Sequence, residues 1–182
     1  VKERVYRPDW RTKERRAYTI LLADILAELL LEGVPGSVST LPCSYRNWIR
    51  TNRDVREITE NLSLCAAHLR DILAKRGRDI VLALEPEPDC ALETAEEAVR
   101  FFKTRVAPGP SRRHLGVCLD TCHLAAQFED PIASLKLLLE AGVRLPKIQI
   151  GAALKARIAD SALASLRAFR DDVYLHQVRV RD

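Results

Sequence analysis

Two carboxylates and one imidazole in this sequence have the residue types and the spacing for chemistry. Glu85 ends the apolar run Ile80-Val81-Leu82-Ala83-Leu84, and Asp120 ends the run Leu115-Gly116-Val117-Cys118-Leu119. A carboxylate at the tip of a buried segment costs on the order of a few kcal/mol unless a cation or hydrogen-bond donors offset it. His123 follows Asp120 by three positions, and in a helical turn positions i and i+3 face the same way. Carboxylate oxygen and imidazole nitrogen together suit Mn, Zn, Co or Fe. Glu85, Asp120 and His123 are therefore read as ligands of a divalent metal (Mn, Zn, Co, Fe or Mg). The competing reading makes Asp120 a helix N-cap and His123 a first-turn residue; Glu85 on the preceding strand decides for the metal.

Two further residues join the candidate ligands. Gln149 lies in Lys147-Ile148-Gln149-Ile150-Gly151, inside an otherwise apolar strand. A buried amide needs partners, so Gln149 is a neutral oxygen ligand, a substrate contact or a satisfied core residue. His176, in Tyr174-Leu175-His176-Gln177, is the other candidate. His68 falls inside a long helical pattern and reads as structural, and His114 starts a strand at the end away from the expected site. Cys118 and Cys122 lack the two-residue gap and the second pair of a thiolate zinc site, and Cys122 is expected to pack behind the centre.

Strand ends position these groups only if the chain alternates strands with helices. Apolar periodicity predicts helices over 10–32, 52–76, 93–105, 131–141 and 160–170. Thr51 or Asn52 is a candidate cap for the second, Gly77 its stop, and Pro131 a first-turn residue of the fourth. Between them lie strand-like runs at 37–41, 80–84, 114–119, 146–150 and 173–176. The run 80–84 is apolar throughout, as in a strand covered on both faces. This alternation is the signature of a parallel sheet built from βα units. No Gly-rich phosphate loop follows any strand, which removes the strongest cue for an open nucleotide-binding sheet. Polar residues at several different strand ends favour a barrel. The expectation is an α/β fold, a partial (βα)8 TIM barrel of about five parallel strands.

A complete barrel takes about 250 residues, and this chain has 182. It begins at Val1, contains no Met and stops at Arg179-Val180-Arg181-Asp182. It reads as an internal piece of a longer protein, a single barrel domain over 1–182 incomplete at both ends. Hydrophobic residues at 47% and charged residues at 30% fit a soluble globular protein rather than disorder. The longest apolar candidate, Ile20 to Leu31, is interrupted by Asp24 and Glu28 and falls short of the roughly 20 residues a membrane span requires. A net charge of +4 with scattered basic residues argues for a solvated surface and against a nucleic-acid partner. Five Cys at irregular spacing do not form a disulfide framework, and a reducing cytoplasm fits them best.

Leu84-Glu85-Pro86 followed by Gly116-Val117-Cys118-Leu119-Asp120-Thr121-Cys122-His123 resembles the xylose-isomerase-like barrel superfamily, which includes sugar epimerases, hydroxypyruvate-isomerase-like proteins and endonuclease IV. Within it, the segments Val1–Trp10, Gly36–Pro42, Lys147–Ile150 and Tyr174–Gln177 resemble the EboE family of barrels from a metabolite-traffic gene cluster. The resemblance implies a metal-dependent sugar or sugar phosphate isomerase or epimerase, with partners from the same gene cluster. It implies that Glu85 binds metal and moves a proton, that Asp120 ligates metal, and that His123 contacts substrate or metal. Those relatives carry a His where Gln149 stands, and His176 is then a compensating ligand. The expected ligand is a small hydroxylated metabolite or sugar-like substrate. A metabolite-binding barrel without turnover is the alternative. An endonuclease IV-like phosphodiesterase fits poorly with four His and this mild charge.

Overall fold

The computed structural model describes residues 5–157, 159–167 and 179–181. Helix α1 (Lys13–Leu29) is capped by Thr12, whose hydroxyl accepts from the Arg15 amide, and leads to strand β1 (Gly36–Thr40). Helix α2 (Asn52–Arg76) starts at a reciprocal Thr51–Asp54 capping box and stops at Gly77, φ +66°, a left-handed conformation that glycine adopts without a Cβ penalty. Strand β2 (Ile80–Leu84), helix α3 (Ala95–Thr104) and strand β3 (Leu115–Asp120) follow. The chain continues through helices α4 (Thr121–Ala126) and α5 (Pro131–Glu140), strand β4 (Arg144–Gln149) and helix α6 (Asp160–Arg167).

The four strands are parallel and in sequence order, β1-β2-β3-β4, as expected of an α/β half-barrel. The predicted strand at 173–176 lies outside the described residues, so the described sheet has four strands rather than about five. Alternate strand residues take opposite faces. Leu82, Leu84, Val117 and Leu119 face the helices and join Ile58, Leu62, Cys65 and Leu69 of α2 in one buried core. Each such aliphatic side chain contributes about 1.5–3 kcal/mol on burial. The other face carries Ser39, Ala83, Cys118, Asp120 and Gln149, small or polar groups that line the inside of the half-barrel.

Strand β4 reaches this arrangement through a bulge. Gly116 pairs with Arg144, but Cys118 pairs with Lys147 and Asp120 with Gln149, so β4 carries one residue more than β3 in this stretch. Pro146, which has no N–H for the sheet, sits in the extra length. Gly116 makes room for it: a Cβ there would stand 2.6 Å from the Arg144 carbonyl oxygen and 2.9 Å from Pro146 Cδ. A shift of one residue exchanges the two faces of a strand. Without the bulge, Ile148 would oppose Asp120; with it, Lys147 and Gln149 point inward.

The opposite rim is tied by Asp79, whose carboxylate accepts from Arg144 at 3.1 Å and Arg113 at 3.3 Å. His114 lies there too, fully buried, with Nδ1 2.9 Å from the Ile80 carbonyl. That position, away from the carboxyl ends of the strands, agrees with the sequence reading. His68 on α2 meets Asp24 on α1 at 2.8 Å, a structural role joining two helices. All five cysteines are free thiols, four of them buried and Cys122 half-buried. Among the described residues, no helix is long and apolar enough to cross a membrane.

Candidate metal centre

Glu85, Asp120 and His123 converge at the carboxyl ends of β2 and β3. Each offers a ligand atom, and the three lie within 4.8 Å of one another. Glu85 leaves β2 with its amide donating to the Thr40 carbonyl at 3.0 Å, which extends the pairing with β1 by one residue and aims the side chain inward. Asp120 is the last residue of β3 and also the N-cap of α4, its Oδ1 accepting from the Cys122 amide at 2.7 Å. The cap and the site role are therefore compatible: one oxygen holds the helix start and the other faces the half-barrel. The first turn of α4 then brings His123 round, its Nδ1 3.7 Å from Glu85 Oε1 and 3.8 Å from Asp120 Oδ2.

His123 Nδ1 lies 3.0 Å from the Pro86 carbonyl oxygen. A carbonyl only accepts, so Nδ1 carries a hydrogen, and it is also the ring nitrogen nearest Glu85 and Asp120. Burial pushes the Glu85 carboxyl above its ordinary range; His123 pulls it down, Asp120 pushes it up, and the Cys118 thiol and the Lys147 ammonium pull it down again, with the upward shift prevailing.

Two negative side chains brought to one spot, 82% and 96% buried by side chain, form no ion pair with Arg or Lys within 4 Å among the described residues. Like charges so placed favour a cation between them. Two carboxylates and one neutral imidazole nitrogen are a donor set that Mn, Zn, Co or Fe accepts. The residues present therefore fit a divalent ion, which Glu85, Asp120 and His123 would hold.

The other predicted ligands stand differently. Gln149 is exposed, contrary to the buried amide expected from its apolar neighbours, because β4 pairs on one side only among the described residues. It is nonetheless beside the site: its Nε2 donates to Asp120 Oδ2 at 2.8 Å, and its Oε1 accepts from Lys147 Nζ at 3.1 Å. His176 lies outside the described residues. Cys118 faces the interior between Ser39 and Glu85, and burial, then the charge of Glu85, pushes its thiol up to about 11.

Lys147 is the functional candidate that sequence reasoning missed. Its ammonium reaches from β4 to β1 and donates to Ser39 Oγ at 2.9 Å. The signal was available: Lys147 is two residues before Gln149, and in a strand that spacing means the same face.

The sequence matches the family described as xylose isomerase-like TIM barrel over residues 6–164. No curated protein sequence matches the chain. Among solved structures, the fold is similar to that of L-ribulose 3-epimerase, with a TM-score of 0.50 and 12% identity over 93% of this chain and 66% of that one. It is also similar to apo 3-keto-D-glucoside 4-epimerase YcjR from E. coli, with a TM-score of 0.42 and 16% identity over 84% of this chain and 70% of that one. The chain thus spans a little under two thirds of the L-ribulose 3-epimerase structure. With the parallel half-barrel and the family match over most of its length, the chain belongs to the xylose isomerase-like TIM barrel family.

Proposed function

We propose that the chain carries the metal site of a sugar or sugar phosphate isomerase or epimerase. The observation that carries this reading is the convergence of Glu85, Asp120 and His123 at two adjacent strand ends. A divalent ion bound there supplies Lewis acidity toward a carbonyl and its neighbouring hydroxyl. Glu85, which faces the half-barrel from the end of β2 beside Asp120 and His123, would take the proton from the carbon next to that carbonyl. Asp120, fixed by the Cys122 amide and Gln149, orients the ligand set. His123, beside both carboxylates, would contact the metal or a substrate hydroxyl.

The structure of L-ribulose 3-epimerase supports only the fold; the small sugar-like substrate comes from the site chemistry and the family. The segments that resemble EboE barrels suggest that this substrate belongs to metabolite processing or traffic in the cytoplasm, beside partners from the same gene cluster.

The experiment is solvent deuterium incorporation at the carbon next to the carbonyl, followed by NMR, for a panel of ketoses and ketose phosphates with the full-length protein and Mn2+. Incorporation that falls by about a thousandfold in Glu85→Gln supports the reading. Binding of a panel compound with no incorporation in either protein supports the alternative, a metabolite-binding barrel, which Gln149 in place of a histidine favours.

A further inference from the structure

Lys147 enters the half-barrel where no role has been assigned to it. The Pro146 bulge turns it inward, and Nζ is held by two neutral acceptors, Ser39 Oγ at 2.9 Å and Gln149 Oε1 at 3.1 Å. It forms no ion pair within 4 Å among the described residues, yet its positive charge is felt at both Glu85 and Cys118.

The Gln149 amide shows what that charge does. An ammonium can only donate and a carboxylate can only accept. Both neighbours of Gln149 therefore demand the same orientation, with oxygen toward Lys147 and nitrogen toward Asp120 Oδ2. Turning the amide over would set its NH2 group against the ammonium and its oxygen against the carboxylate, two repulsive contacts in place of two hydrogen bonds. As long as Lys147 is charged, the oxygen of Gln149 is directed away from Asp120. A chain of donors then runs from β4 to β3: Lys147 to Gln149, and Gln149 to Asp120.

We propose that Lys147 is a built-in counter-cation of this site, a positioning residue that fixes the Gln149 amide against Asp120 and holds down the site's affinity for a divalent cation. The proposal rests on the metal reading of Glu85, Asp120 and His123. It makes Gln149 a positioning residue for Asp120 rather than an oxygen ligand. A fixed positive charge beside a divalent ion would oppose its entry, by about tenfold or more in affinity. The charge keeps the two carboxylates compatible with each other when no ion is present.

The test is Mn2+ binding to the full-length protein by isothermal titration calorimetry, for the wild type, Lys147→Met, Lys147→Gln and Lys147→Arg, with far-UV circular dichroism to verify folding. The two neutral variants should bind Mn2+ at least about tenfold more tightly, and the charged Arg variant should bind like the wild type, so that charge rather than shape decides. Lys147→Gln keeps a polar group beside Ser39 and provides the reading where Met disrupts folding. Unchanged or weaker Mn2+ binding in the neutral variants overturns the role of Lys147 and leaves the metal site standing. Absence of Mn2+ binding in the wild type and every variant overturns both.

Discussion

His123 donates from Nδ1 to the Pro86 carbonyl at 3.0 Å, so the residue that follows Glu85 orients the imidazole that faces Glu85. The two strand ends are thereby coupled: β2 supplies a carboxylate and a carbonyl, and β3 with the first turn of α4 supplies a carboxylate and a ring that bonds one and faces the other. His123→Asn removes the imidazole and keeps a short polar side chain. It should lose at least about tenfold in Mn2+ affinity while its urea midpoint stays near that of the wild type. Equal loss of both would mean that the ring serves packing instead.

Glu85 gives the pH dependence its sign. Its folded carboxyl binds a proton more tightly than the unfolded chain does, chiefly through burial. The stability it contributes is full below the unfolded carboxylate range and is lost as pH rises through the folded value. Gln cannot ionise and escapes that loss. In the presence of a chelator, Glu85→Gln should therefore gain urea resistance relative to the wild type on going from about pH 4 to about pH 7. A stability difference that stays constant, or moves the other way, would contradict the buried placement of this carboxylate.

Gly116 and Pro146 set the face that Lys147 and Gln149 present. A methyl at position 116 meets backbone at 2.6 Å, a distance that requires the strands to part. Gly116→Ala should cost about 1–3 kcal/mol in urea unfolding, because the methyl forces β4 away from β3 at the bulge. A neutral effect would show that the bulge yields without cost.

The helices and the first three strands were legible because each has an uninterrupted pattern. The run 80–84 is apolar at every position and is buried at every position, and α2 runs from Asn52 to Arg76 between a cap and a glycine that both stand in the sequence. The sequence pattern places the fourth strand at 146–150; the structure starts it at Arg144 and absorbs Pro146 in the bulge. Glu85, Asp120 and His123 stood out because each sits at or just beyond the end of a strand. Their supports did not. The Pro86–His123 bond joins residues 37 apart, and the Lys147–Ser39 bond joins residues 108 apart, and no local periodicity encodes either. Gln149 was expected to be buried from its neighbours Ile148 and Ile150, yet those two are themselves exposed, at 51% and 83%.

Whether Glu85 and Asp120 hold a divalent ion together with His123 is decided by elemental analysis of the full-length purified protein, beside a Glu85→Ala, Asp120→Ala double variant whose circular dichroism is unchanged. About one divalent ion per chain is expected in the wild type and none in the variant. No bound metal in the wild type, or the same amount in both proteins, would overturn the metal site.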